Sequence, residues 1–271
     1  MSNFNYGVGV VTCNRADFLA KCVDSIPEGV DIVVVNDGSD RTYNFNKKPY
    51  IIENPKNLGV GRSKNKAFRY LLDKGHEHIF IIEDDMLIKD PSVFDRYIEA
   101  ARKTGLGHLN FGYHGPANKG GVSKGTPQPR FIVDYGNDIR IAINMHGVGS
   151  FCYYSKKVLD ACGLMDEQFQ NAFEHIDHDY VLHKAGYYTP HWNFADLADS
   201  WKYIDEQACS EESSSIRPRA DWMRNIQNAA QYFHKKHGMY PAWQGGIPDT
   251  SEEDVKKCLK EIYKKHAIKE N

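Results

Sequence analysis

The stretch IFIIEDDMLI, residues 79 to 88, carries the densest chemistry in the chain. Ile79 to Ile82 are apolar, Glu83, Asp84 and Asp85 follow at once, and Met86 to Ile88 are apolar again. Adjacent carboxylates repel, and a carboxylate in an apolar setting costs several kcal/mol unless something pairs with it. A bound cation solves both problems. Hard oxygen ligands at a strand end suit Mg2+ or Mn2+, which also bind phosphate oxygens. An acidic turn after a strand, or a cap for the next helix, would leave the same residues, so the cluster needs company to mean chemistry.

Three other segments supply company. In VNDGSD, Val35 to Asp40, Asp37 can accept from a ribose hydroxyl or a base N–H, and Gly38 permits close approach. Alone this is an Asp-Gly turn. In VTCNRADF, Thr12, Asn14 and Arg15 fall between a strand and a helix, where a helix N-terminus favours anions. Capping by Asn14 is the plain alternative. In NLGVGRSKNKAF, Asn57 and Gly59 precede a helix whose first turn carries Arg62, Lys64 and Asn65. Basic side chains and free N–H groups there would neutralise a phosphate, although a solvated helix start reads the same way. The four segments fall at successive strand ends, in the order needed to hold base, ribose, diphosphate and metal.

The elements that must position them alternate. Tyr6–Thr12, Ile32–Asn36, Tyr50–Glu53, His78–Glu83 and Gly107–Phe111 read as short strands. Asp17–Ser25, Gly61–Lys74 and Pro91–Lys103 read as amphipathic helices between them. Wholly apolar strands alternating with such helices predict an α/β fold with a mostly parallel sheet covered on both faces. Ligands then sit at the carboxyl ends of the strands. From Gly112 to Asn137 the chain is rich in Gly, Pro and Lys and reads as a long functional loop. A hairpin, Phe131–Tyr135 with Ile139–Asn144, and helices at Ser155–Cys162 and Glu174–Lys184 follow, the latter ended by Gly186. Asp205–Ser215 reads as an acidic surface loop, and Asp221–His237 and Ser251–His266 as closing helices, with Ser251 and Asp254 forming a cap.

Composition narrows the classes. The 271 residues are 41% hydrophobic and 26% charged, ordinary for a globular domain. A net charge of -2 gives no global basic field for nonspecific nucleic-acid binding. No apolar run approaches the ~20 residues that span a bilayer. The N-terminal MSNFNYGVGV lacks the pattern of a signal peptide, so a cytoplasmic protein is expected. The six scattered cysteines, without C-x-x-C, read as reduced thiols rather than a zinc site.

In this order the motifs resemble family 2 glycosyltransferases of the GT-A fold. VTCNRADFLAKCVDSI, VVVNDGSD, NLGVGRSKNKA, IIEDDM, HGVGSFCYYSKKVLDACGLMDEQF and FEHIDHDYVLHKAGYY stand in the family's sequence of motifs from Tyr6 to Tyr188. The resemblance implies a GT-A catalytic domain over 1–200, its 1–111 half binding the nucleotide sugar and its 112–200 half the acceptor. Residues 201–271 become a helical extension packed on it. It implies Asp85 as the metal ligand for Mn2+ or Mg2+, with Asp84 and Glu83 touching sugar or ribose. Thr12, Asn14, Arg15, Asp37, Asn57, Gly59, Arg62, Lys64 and Asn65 become donor-binding residues. The family's acidic motif is usually Asp-x-Asp and here is Glu-Asp-Asp. Its catalytic Glu-Asp pair reads Glu174-His175, which leaves Glu174, His175 and Asp177 as candidate bases, Glu174 first. Glu174 and Asp177, three apart, are expected on one helix face. Late histidines serve as metal ligands in some relatives, which makes His191 a candidate and gives His146 similar standing. Trp192, Trp201, Trp222 and Trp243 could stack on sugars, though packing is the default for each.

The implied activity is metal-dependent inverting transfer from a nucleotide sugar, with uridine diphosphate as the expected nucleotide. The acceptor is a hydroxyl on a glycan, glycolipid, protein or modified DNA base. No integral membrane segment is expected. A sugar-nucleotide synthase would open with a Gly-rich loop after its first strand, which VTCNRADF lacks. A catalytically silent nucleotide- or sugar-binding module is the alternative of another class.

Overall fold

In the computed structural model, residues 4–39, 43–207, 220–241 and 250–268 are described. Its frame is a six-stranded sheet in the order β3, β2, β1, β4, β9, β6. These are β1 (Tyr6–Thr12), β2 (Asp31–Asn36), β3 (Tyr50–Glu53), β4 (His78–Glu83), β6 (His108–Asn110) and β9 (Phe151–Ser155). β1 runs parallel to both neighbours, with Val10 opposite Val34 of β2 and Ile82 of β4. Every residue of β1 is buried, as a continuous apolar run in a covered parallel strand demands.

β9 departs from the alternation. It lies antiparallel between β4 and β6, with Ile81 opposite Cys152. The reversal delivers loop 145–150 to the carboxyl end of β4, where the Glu83 N–H donates to Ser150 O at 2.7 Å. The sheet is therefore mixed, and the Gly-rich segment before the strand overhangs the acids.

Helices α1 (Ala16–Ser25), α2 (Val60–Asp73) and α3 (Ser92–Thr104) cover the sheet. The first turns inward with Leu19, Cys22 and Val23, the second with Ala67, Phe68 and Leu71. Fully burying a side chain such as Phe68 or Leu71 stabilises by roughly 1.5–3 kcal/mol. Beneath α3 lies an aromatic cluster, with Phe80 and Phe94 rings edge-to-face at 4.8 Å and Tyr6 stacked on Phe94 at 5.0 Å.

A small antiparallel sheet joins β7 (Phe131–Asp134), β8 (Arg140–Asn144) and β10 (Phe194–Leu197). The hairpin between the first two turns through Asn137 and Asp138, both at positive φ, residue types that tolerate it. α4 (Lys156–Cys162) and α5 (Glu174–Lys184) follow the sequence expectation. β5 (Met86–Ile88) pairs with β11 (Ile204–Glu206) as a two-stranded ribbon. Asp205 and Glu206 therefore lie in a strand, not in the expected loop, because β5 offers them a partner edge.

α6 (Trp222–His237) lays Ala229, Ala230 and Phe233 inward, and the Phe233 ring packs on Tyr180 of α5. α7 (Glu252–His266) buries Val255, Leu259 and Ile262 and is capped by Ser251, whose hydroxyl accepts from the Asp254 N–H at 3.1 Å. Both helices pack on the body that carries the sheet. Asp40, residues 208–215 of the acidic segment and Trp243 lie outside the described residues. Among the described residues no helix is long and apolar enough to cross a membrane.

Candidate active site

A cleft of about 1060 Å³ opens above the carboxyl ends of the strands. Arg15, Glu83, Asp85, His114, Glu174 and His175 line it, with the loops around Gly115–Ser123 and Met145–Ser150. Trp192, Trp222 and Ile226 complete its wall.

Asp84 and Asp85 form the turn between β4 and β5, and both are buried. Arg15, at the entry to α1, clamps them. One guanidinium nitrogen pairs with Asp84 Oδ1 and the other lies 3.1 Å from Asp85 Oδ2. The Thr12 hydroxyl donates to Asp84 at 2.6 Å. Burial still raises the Asp84 carboxyl to about 7, with Arg15 opposing and Asp85 adding to the rise. Burial and Glu83 likewise raise Asp85, against the pull of His114 and Arg15.

Lys64 is the second cation. It is buried on α2, 3.1 Å from Glu83, 3.3 Å from Glu174 and 3.0 Å from the Gly149 carbonyl. Burial works against its charge. Glu83 and Glu174 outweigh burial and hold the ammonium well above the ordinary lysine range. Four carboxylates, Glu83, Asp84, Asp85 and Glu174, thus share two fixed cations, Arg15 and Lys64. The negative surplus is what a divalent ion would offset.

The residues present fit such an ion. Asp85 Oδ1 is buried with no hydrogen-bond partner among the described residues. His114 Nε2 stands 3.5 Å from Asp85 Oδ2, and its Nδ1 lies 3.1 Å from Glu206. That second contact fixes the ring as outer-shell partners fix metal-binding histidines. Among the described residues no three His, Cys, Asp or Glu side chains stand together as a complete metal cage. Donors such as diphosphate oxygens would have to complete the set, as is common for Mg2+.

The remaining expected site residues divide. Asp37 is buried and saturated, since Asn54 and Leu58 donate to Oδ1 while Asn57 and Gly59 donate to Oδ2. An ionised carboxylate has about four acceptor positions, and these four donors fill them, so in this structure Asp37 organises the turn into α2. Asn57 and Gly59 serve that turn as well. Gly59 sits at φ 98, and a side chain there would collide with the Gln170 backbone. Asn65 is buried, exchanging hydrogen bonds with the Met165 backbone and donating to Glu167. It latches α2 to the segment before α5 rather than facing the cleft. Arg62 is half exposed and faces Glu167 at 3.8 Å. Asn14 adopts φ 59, and its N–H donates to the Ser39 hydroxyl.

Asp177 does not share Glu174's surroundings. It accepts from Lys236 at 2.8 Å and contacts His237 at 2.6 Å, both on α6. A three-residue step leaves about 60° between side chains on a helix, enough here for α6 to capture Asp177. His191 also turns away from the acids. It lies among Tyr180, Trp192 and Phe233, and burial lowers it to about 4. His146 and Trp192 line the cleft, whereas Trp201 is exposed elsewhere.

Sequence reasoning missed His114, Asn171, Glu206 of the ribbon and Gln207 just after it. Asn171 is buried in the cleft wall, its amide without a hydrogen-bond partner among the described residues. Gln207 donates from its side chain to Phe18 O and Asp84 O, and from its backbone to Asp85 O. A histidine a few residues past a strand, in YHGP, was the visible signal for His114.

Among solved structures, the chain is similar to GalNAc-T7 in complex with UDP, GalNAc and Mn2+, at 11% identity and a TM-score of 0.55. The match covers 97% of this chain and 55% of that one, so this chain spans about half its length. The mannosyltransferase PcManGT from Pyrobaculum calidifontis, in complex with GDP-Man and Mn2+, matches at 14% identity, with 96% of this chain and 69% of that one covered and a TM-score of 0.48. The comparison with curated proteins gave no match. The family profile described as glycosyl transferase family 2 matches residues 8–163. That is more than half of the chain, and the chain belongs to glycosyl transferase family 2.

Proposed function

We propose that this enzyme moves a sugar from a nucleoside diphosphate donor, uridine diphosphate first, to an acceptor hydroxyl on a glycan or other biopolymer, with inversion. The observation that carries the reading is the clamped acid turn: Arg15 across Asp84 and Asp85, with one Asp85 oxygen left without a hydrogen-bond partner among the described residues. Asp85, with His114 beside it, would hold Mn2+ or Mg2+. When bound, the ion supplies positive charge to the departing diphosphate. Arg15 holds the carboxylates in place. Lys64 neutralises Glu83 and Glu174 so that they do not repel the donor. Asn171, whose amide has no hydrogen-bond partner among the described residues, would present it to the sugar. Trp192 and Trp222 offer apolar faces to the acceptor side. Among the described residues, the free thiols of Cys22, Cys152, Cys162 and Cys258 fit a reducing, cytoplasmic setting.

Calorimetry with uridine diphosphate tests this, with Mn2+ and then with chelator. Binding should require the metal and be lost in Asp85→Ala. Binding of guanosine or cytidine diphosphate instead would reassign the base. No nucleotide binding under any condition would favour a silent module.

A further inference from the structure

We propose that His175, positioned by Glu174, is the general base that takes the acceptor's proton during transfer. The proposal rests on reading the cleft as a glycosyl-transfer site.

His175 Nδ1 lies 3.2 Å from Glu174 Oε1. The same oxygen faces Lys64 Nζ at 3.3 Å. Burial works to raise the Glu174 carboxyl, but Lys64 and His175 overcome it and hold it well below the ordinary range. Glu174 is therefore ionised and can only accept, so Nδ1 must carry the hydrogen. The neutral ring then has its lone pair on Nε2. Among the described residues Nε2 has no hydrogen-bond partner. The His175 side chain is 21% exposed in the cleft, and that of Glu174 only 6%. An entering hydroxyl reaches the imidazole before the carboxylate. Glu174 is also a weak proton acceptor while Lys64 holds it ionised, and a base works best when its affinity lies near the working pH.

The ring is held from behind. A methyl at Gly149 would lie 3.1 Å from both Cγ and Nδ1 of His175, and from Lys64 Nζ. The charged groups facing the ring are Glu174 and Asp179 from α5 and Lys64 from α2, the last tied to Glu83 of β4. Trp192, Trp222 and Ile226 line the same cleft and carry no charge.

The step balances. The Nε2 lone pair takes the hydroxyl proton as the acceptor oxygen bonds to the anomeric carbon. The bond from that carbon to the diphosphate oxygen breaks, and its electron pair leaves with the nucleoside diphosphate. The imidazolium faces Glu174 until its proton passes to solvent.

The test is nucleoside diphosphate release from a panel of nucleotide sugars, with Mn2+ present and water serving as acceptor. His175→Ala should lower kcat at least ~100-fold while donor KM stays within about twofold. Added imidazole should restore part of the rate. Calorimetric nucleotide binding should match wild type, and His175→Gln should repeat the loss if the alanine variant melts early. Burial lowers the imidazole and Glu174 more than restores it, so the net shift is upward. Glu174→Gln should accordingly move the acid limb of the rate profile to lower pH without erasing it. A His175→Ala rate within about threefold of wild type, or a limb lost only in Glu174→Gln, would overturn the base while leaving the transfer reading intact. Wild-type protein that neither binds a nucleotide nor releases one would overturn both.

Discussion

Lys64 is buried yet stays charged, because two carboxylates hold it from opposite sides of the cleft floor. Removing one member of a buried ion network leaves its partners unpaired, at a cost of about 3–5 kcal/mol. Lys64→Met should lower stability by that order in chemical denaturation, and pairing it with Glu174→Gln should recover part of the loss. Equal losses in the single and double variants would show that the three groups are not coupled. This pair was half legible in the sequence. A lysine in the first turn of a helix after Asn-x-Gly suggested a phosphate contact. Its actual partners are 19 and 110 residues away in the chain and no local pattern names them.

The acid turn between β4 and β5 is held from outside by an element that the sequence does not announce. β11 is three residues long, and nothing in IDE marks a strand until β5 is seen beside it. The long apolar strands and amphipathic helices of the first 110 residues were readable because their period is set by burial. β5, β9, β10 and β11 were not, since each is short and exists only through its partner. Gln207 follows β11 and reaches both Asp84 O and Phe18 O. Each such bond has a net worth of about 0.5–1.5 kcal/mol, and loss of an outer-shell support costs about 10–100-fold in metal affinity. Gln207→Ala should therefore weaken Mn2+ binding, read by calorimetry, with only a small fall in melting temperature. Unchanged metal affinity would mean that Arg15, Thr12 and the Gln207 backbone set the turn without the Gln207 side chain. Gly59→Ala belongs to this scale as well. It forces a left-handed residue against Gln170 and should cost about 1–3 kcal/mol.

Across the whole molecule, acid should act through buried histidines. His191 is held neutral, lowered from 6.5 to about 4 by burial. The unfolded chain takes up its proton first, so stability is full above about pH 6.5 and falls as the pH drops toward 4. The loss should approach about 2–3 kcal/mol after allowance for solvent screening. His191→Phe, surrounded by Tyr180, Trp192 and Phe233, should lose less stability than wild type between pH 7 and 5 in thermal melts. Parallel curves would assign the acid sensitivity elsewhere, His78 being the next group, also lowered to about 4. The tie from Gln207 to the acids, and that from Lys236 and His237 to Asp177, have a consequence for biosynthesis. A chain grows from its N-terminus at about 5–20 residues per second, so a ribosome releases the whole six-stranded sheet before it releases the residues that brace the acidic turn. A nascent chain stalled near residue 200 would carry Glu83, Asp84, Asp85 and Glu174 with the Arg15 clamp but lack Glu206 and the Gln207 brace, and the emerging polypeptide would reach its full metal affinity last.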